Sequence, residues 1–224
     1  MLLKRAASLL PWSMRQALRA VKYRSEYASG RFRSPEPEYD ELPKWIQPGD
    51  WILDLGANVG HYTLRMSELT RAEGRVIAFE PVIETAELLI ALARRARYPN
   101  ITVFQAAVSD RAGTLNFHVP ASADGLPNYF QARVADSGGR TAICLAIDDL
   151  HLPRRISLVK IDVEQHEVAV LHGMRHLLAR DRPVVIVEAH EGVFGEFFRE
   201  HGYQMRPKTA GSPNLVFLPP CYKK

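Results

Sequence analysis

The chain has 224 residues, 46% of them hydrophobic and 24% charged, which fits one domain with a sizeable core. Its net charge of +4 is uneven: residues 1–33 hold eight Lys and Arg against Glu26 alone, while the rest holds 21 basic and 24 acidic residues. Cys144 and Cys221 are too few for a disulfide framework and match no zinc spacing, so a reducing, cytoplasmic setting is expected.

No apolar run approaches the length of a membrane span, and Lys4, Arg5 and Pro11 break up the leader-like start MLLKRAASLLPW. Residues 2–28 read as a helix interrupted near Pro11. Leu9, Leu10, Met14, Leu18 and Val21 recur at helical spacing, with most cations elsewhere on the wheel. A basic arm of this kind meets phosphates, an anionic lipid surface or an acidic partner. Packing on its own domain is the expected role, and peripheral membrane contact is the alternative. Residues 33–43, RSPEPEYDELP, read as a Pro- and acid-rich linker with a helical turn, so residues 1–45 form an arm and 46–224 the domain.

From Trp51 strands and helices alternate. Strands are expected at 51–55, 75–80, 101–107, 158–162, 184–188, 203–206 and 215–218, and helices at 60–69, 84–97, 167–179 and near 195–200. Continuous apolar strands alternating with helices predict a parallel sheet covered on both faces. The last two strands, joined only by a loop, predict an antiparallel hairpin at one edge. Residues 113–150 break the rhythm and read as an inserted hairpin or lid.

The first strand runs into ILDLGANVGHYTL, a glycine turn before a helix. Such turns lie beyond the strand ends, where ligands bind in open parallel sheets. The turn lacks the Gly-Lys-Ser/Thr of a phosphate-binding loop. It also lacks the three-glycine dinucleotide pattern, because Asn58 stands at the middle glycine and His61 follows Gly60. Asp54 suits a ligand carrying positive charge. Glu80 ends the second strand 20 residues after Gly60, where an acid accepts hydrogen bonds from both ribose hydroxyls. S-adenosylmethionine meets the three conditions of positive charge, a ribose and no pyrophosphate.

DLGANVGHYT, VIAFEP, AAVSD, LAIDDL, LVKIDVEQHEVAVLHGM and VVIVEAH, in this order, resemble the FkbM-type S-adenosylmethionine-dependent methyltransferases over about residues 50–190. The resemblance implies a class I, Rossmann-like α/β fold with seven strands. It implies methyl transfer to a hydroxyl of a sugar, glycolipid or polyketide-type product. It places Asp54, Gly56, Asn58 and Gly60 around the methionine part of the cofactor, Glu80 on the ribose, Ala107 beside the adenine and Asp162 facing the methyl group. The family has Gly where this chain has Gln165, a side chain expected to narrow or contact the acceptor pocket.

Methyl transfer to a hydroxyl calls for a base or a metal. Asp162, Glu164 and His166 follow one strand, and Glu188 and His190 another. Histidine titrates near neutrality, which puts His190 first and His166 next as the base. Asp162 with Glu188 suits Mg²⁺ as the less favoured reading. Asp148-Asp149 reads as the cap of a short turn before HLPRR. Two alternatives stand: an RNA methyltransferase, motivated by the basic arm but lacking a base-methylation tetrapeptide, and a non-catalytic cofactor-binding protein. The acceptor and the oligomeric state are not legible.

Overall fold

The computed structural model describes residues 10–123, 125–135, 138–189, 192, 194–220 and 222. Its centre is a seven-stranded sheet built from β1 (Trp51–Leu55), β2 (Arg75–Phe79), β3 (Ile101–Phe104), β8 (Ile156–Ile161), β9 (Val184–Glu188), β10 (Gln204–Met205) and β11 (Asn214–Leu218). The order across the sheet is β10-β11-β9-β8-β1-β2-β3. Pairs from β3 to β9 are parallel; β11 runs antiparallel to both β9 and β10. Strand order therefore reverses beside β1, where β2 and β8 flank it, and ligand crevices of open α/β sheets open at such a reversal. This is the class I methyltransferase fold.

The expected third strand, 101–107, is cut short. β3 ends at Phe104, and Ala107–Val108 (β4) turns away into a second sheet with β5 (Gly113–His118), β6 (Arg133–Val134) and β7 (Arg140–Leu145), in the order β4-β7-β5-β6. Strands β5 to β7 of the insertion thus join β4 in a four-stranded sheet, more than a hairpin.

Helix α1 (Trp12–Ala28) starts directly after Pro11, which sets the extended residue before the first turn. Its Tyr23 is buried with Phe32 against Val59, Leu64, Leu88 and Leu92. The segment after it is not a loose linker. Helix α2 (Pro37–Glu41) and a 3₁₀ turn (Leu42–Lys44) bury Tyr39, Leu42, Trp45 and Ile46 against the sheet. Arg206 grips the Glu41 carboxylate with both terminal guanidinium nitrogens. The expected helical turn is there, and the aromatic residues beside the acids pack it on the sheet.

Helices α3 (His61–Thr70) and α4 (Ile83–Ala93) follow β1 and β2. The predicted helix 167–179 is two, α5 (Glu167–His172) and α6 (Arg175–Asp181). Gly173 parts them because a Cβ there would stand 2.0 Å from the Ser109 carbonyl oxygen. Asp148 caps α6, accepting hydrogen bonds from the backbone N–H groups of His176 at 2.8 Å and Leu177 at 2.9 Å. The expected cap of the HLPRR turn is corrected accordingly. Helix α7 is Gly195–Glu200.

Candidate active site

Sheet register brings the acids together. Asp54 of β1 pairs with Ala78 of β2 and Lys160 of β8, and Lys160 pairs with Ile186 of β9. Side chains two residues apart on a strand share a face. Glu80, Asp162 and Glu188 therefore form a row at neighbouring carboxyl ends, one step beyond Asp54 and Lys160. They line a cavity of about 340 Å³, within the range of small-molecule sites.

The glycine turn has a tighter packing logic than its sequence shows. Gly56 has φ +83°, and a Cβ on it would lie 1.8 Å from the Asp162 carbonyl oxygen. Gly60 has φ +95°, and its Cβ would strike Leu89 at 2.4 Å. Both glycines serve loop geometry and close packing of protein on protein. Gly56 borders the cavity with its backbone. Asn58 holds φ +50° and turns its own Oδ1 onto the Val59 N–H at 2.8 Å.

Glu80 is buried at 4% exposure. Its Oε2 accepts from the Asn58 N–H at 2.8 Å, and its Oε1 from the Val82 N–H at 2.8 Å and the Thr85 hydroxyl at 2.9 Å. Burial outweighs these bonds and pushes its carboxyl up to about 7. Asp54, accepting from the Thr63 hydroxyl at 2.5 Å, is pushed up by burial to about 6. Two carboxylates short of compensating charge thus face one cavity.

Lys160, mid-strand in the sequence with its direction inward or lateral left open, turns inward. It is 1% exposed, with Nζ 2.9 Å from Asp162 Oδ2 and 4.8 Å from the Tyr62 ring centre. Burial opposes its charge, but Asp162, Glu36 and Asp54 hold it ionised. Burial likewise opposes the charge of Asp162, and Lys160 together with a hydrogen bond from Glu188 keeps its carboxyl below the usual range. Burial and the neighbouring Asp162 push Glu188 up to about 8. The signal for Lys160 was present in ISLVKI: a lysine inside an otherwise apolar central strand requires a buried partner.

The cavity is walled from two further directions. Ser34 and Glu36 enter from the segment after α1, and Glu36 accepts from the Tyr62 hydroxyl at 2.7 Å and Asn214 Nδ2 at 2.9 Å. From the second sheet, a 3₁₀ turn (Tyr129–Gln131) and Arg133 close the opposite side. The Arg19 guanidinium of α1 sits 4.5 Å from the Tyr129 ring centre, so arm and insertion meet over the site.

His166 borders the cavity with Nε2 2.9 Å from the Ser109 hydroxyl, and burial lowers its pKa. Ala107, at the start of β4, is also in the wall. His190 lies outside the described residues. Among the described residues no group of three or more His, Cys, Asp or Glu is placed to hold a metal ion. Gln165 has an exposed side chain, between Glu164 and His166 of the cavity wall. What the position demands is backbone: its φ is +72°, and that of Glu164 is +49°. Glycine is the residue that adopts this conformation without strain.

The profile of the methyltransferase FkbM domain matches residues 54–206, and the chain belongs to this family. It is 31% identical over 150 residues to the hexuronic acid methyltransferase AglP of Haloferax volcanii, covering 64% of this chain and 57% of that protein. It is 30% identical over 194 residues to the 31-O-demethyl-FK506 methyltransferase FkbM of Streptomyces tacrolimicus, covering 71% and 74%. The chain thus spans little more than half the length of the haloarchaeal relative. A crystal structure of a methyltransferase FkbM from Methylobacillus flagellatus superposes with a TM-score of 0.51 at 20% identity, over 81% of this chain and 50% of that one, a likeness of fold.

Proposed function

We propose that the chain is an S-adenosylmethionine-dependent O-methyltransferase acting on a hydroxyl of a sugar, glycolipid or polyketide-type natural product. The observation that carries this reading is the pair Glu80 and Asp54, buried carboxylates with raised pKa at the strand-order reversal. A ligand offering a ribose diol to Glu80 and a positive charge near Asp54 and Asp162 relieves both. The two relatives named above, one for a hexuronic acid and one for 31-O-demethyl-FK506, support the acceptor class.

Asp54, Gly56 and Asn58 would hold the methionine part, Glu80 the ribose and Ala107 the adenine edge. When bound, S-adenosylmethionine supplies a methyl group on a positively charged sulfur. The chain's own part is to place the acceptor hydroxyl in line and to take its proton. Glu188 is our choice for that base: it reaches the cavity and its pKa lies near working pH. Asp162, kept ionised by Lys160, holds positive charge in the site and binds the Glu188 proton until it leaves. His166, neutral and hydrogen-bonded to Ser109, is the second candidate. Residues 113–150 act as a lid, since Tyr129 to Arg133 form the outer wall.

The test is incubation with methyl-labelled S-adenosylmethionine and an extract of hydroxylated metabolites and lipids, with mass spectrometry of the product. Label recovered as an O-methyl ether on a glycan or polyketide supports the reading. Label on RNA, or none on any acceptor, overturns it.

A further inference from the structure

Helix α1 uses one face and leaves another bare. Tyr23 is 7% exposed in the domain's apolar cluster, and Arg19 lies over Tyr129. On the opposite side Met14, Leu18 and Val21 follow at i, i+4 and i+7 and are 51%, 54% and 62% exposed. Residues at this spacing form one stripe. Helical phase sets Arg15 and Lys22 along one border of the stripe and Arg24 along the other. The single acid of the helix, Glu26, follows Lys22 on that first border, 3.8 Å from it, which leaves the cations in excess. The nine residues before Leu10 add Lys4 and Arg5 and no acid.

We propose that α1 docks the enzyme on an anionic lipid surface, stripe inward and flanking cations among the headgroups. An apolar stripe between rows of Lys and Arg is the pattern of helices that lie in a membrane interface. The occupant follows from both halves of the pattern. RNA would engage the cations but gains nothing from an aliphatic stripe, because single-stranded bases stack on aromatic rings. A protein groove would engage the stripe but does not call for cations on both borders. Anionic lipid satisfies the two together, and each flanking cation adds attraction. Among the described residues no helix is long and apolar enough to cross a membrane. The inference goes beyond the methyl-transfer reading and does not depend on it, since neither stripe nor cations line the cavity.

The test is co-sedimentation of the full chain with vesicles of phosphatidylcholine alone or mixed with phosphatidylglycerol, without any activity readout. The chain is expected to sediment with the anionic vesicles, not with the neutral ones, and less at high salt. Replacing Arg15, Lys22 and Arg24 together by Gln should weaken binding on the order of a hundredfold. Leu18→Glu with Val21→Glu should weaken it about tenfold or more, and the milder Leu18→Ser should move it the same way. Unchanged melting temperatures show that these substitutions, exposed except for the half-buried Arg15, leave the fold intact. The proposal is overturned if wild type ignores anionic vesicles or if the stripe variants bind as wild type does. It is overturned equally if the stripe proves to mediate self-association, or if the arm binds a single-stranded RNA and not the vesicles.

Discussion

Lys160 Nζ lies 2.9 Å from Asp162 Oδ2, two residues on and just past the end of β8, and both residues line the cavity. The lysine is almost fully enclosed, while the Asp162 side chain keeps 29% of its surface exposed. This pair fixes the charge at the centre of the site: it keeps Asp162 ionised and leaves the proton on Glu188.

Removing one partner of such a pair leaves the other uncompensated. Lys160→Met should lower stability by about 2 kcal/mol, below the range for fully buried pairs because Asp162 retains some water. Combining it with Asp162→Asn should restore part of that loss. Denaturant titration of the single and double variants measures both steps.

The choice of Glu188 as base predicts a pH–rate profile. The proton-free form is active, so the rate should rise with pH through about 8 and level off above it. Glu188→Gln should abolish the rising limb and lower the rate on the order of a hundredfold. If the limb instead falls below 7 and survives in Glu188→Gln, His166 or His190 takes the role.

The ligand-free protein should grow less stable as pH rises from about 5 to about 7. Glu80 goes from an ordinary 4.5 to about 7 on folding, and Asp54 from 3.8 to about 6. Between those values the folded chain binds more protons than the unfolded one, so stability present below the ordinary values is lost as pH climbs. Glu80 alone contributes on the order of 3 kcal/mol of this change. Glu41, held at about 2 by Arg206, stays ionised throughout the window. Melting temperatures across the range should fall for wild type and fall less steeply for Glu80→Gln.

Much of the central sheet could be read from the chain because its strands are buried on both faces and stand out as apolar runs. The edge pairing of 203–206 with 215–218 followed from the short loop between them, and the structure contains it as β10 and β11. Asp54, Glu80, Asp162 and Glu188 were readable because strand ends and the period of two place them. Contacts made across the fold were not readable. No local pattern shows that Gly56 must clear the Asp162 carbonyl, or that Gly173 must clear that of Ser109. Nor does RSPEPEYDELP reveal that Glu36 reaches into the cavity, since its partners Tyr62 and Asn214 are far away in sequence. The break after Phe104 was missed for the same reason: Ala107 and Val108 pair with Cys144 and Leu145, not with the main sheet.

At residue 165 the backbone is left-handed, with φ +72°. Gln165→Gly should stabilise the protein by about 0.5 kcal/mol, the relief of left-handed strain less the added freedom of the unfolded chain. Catalysis should be unaffected, because the side chain is exposed. A melting curve together with steady-state rates for this variant checks both expectations.

The most direct test of the central claim is calorimetric titration of the chain with S-adenosylmethionine, wild type against Glu80→Ala. The site described here predicts one binding site per chain, weakened on the order of 10- to 100-fold by loss of the hydrogen bonds that Glu80 would accept from the ribose. The Glu80→Ala variant must still melt cooperatively for the comparison to count. Equal affinities in the two proteins would contradict the ribose assignment, and no heat of binding in the wild type would contradict the account as a whole.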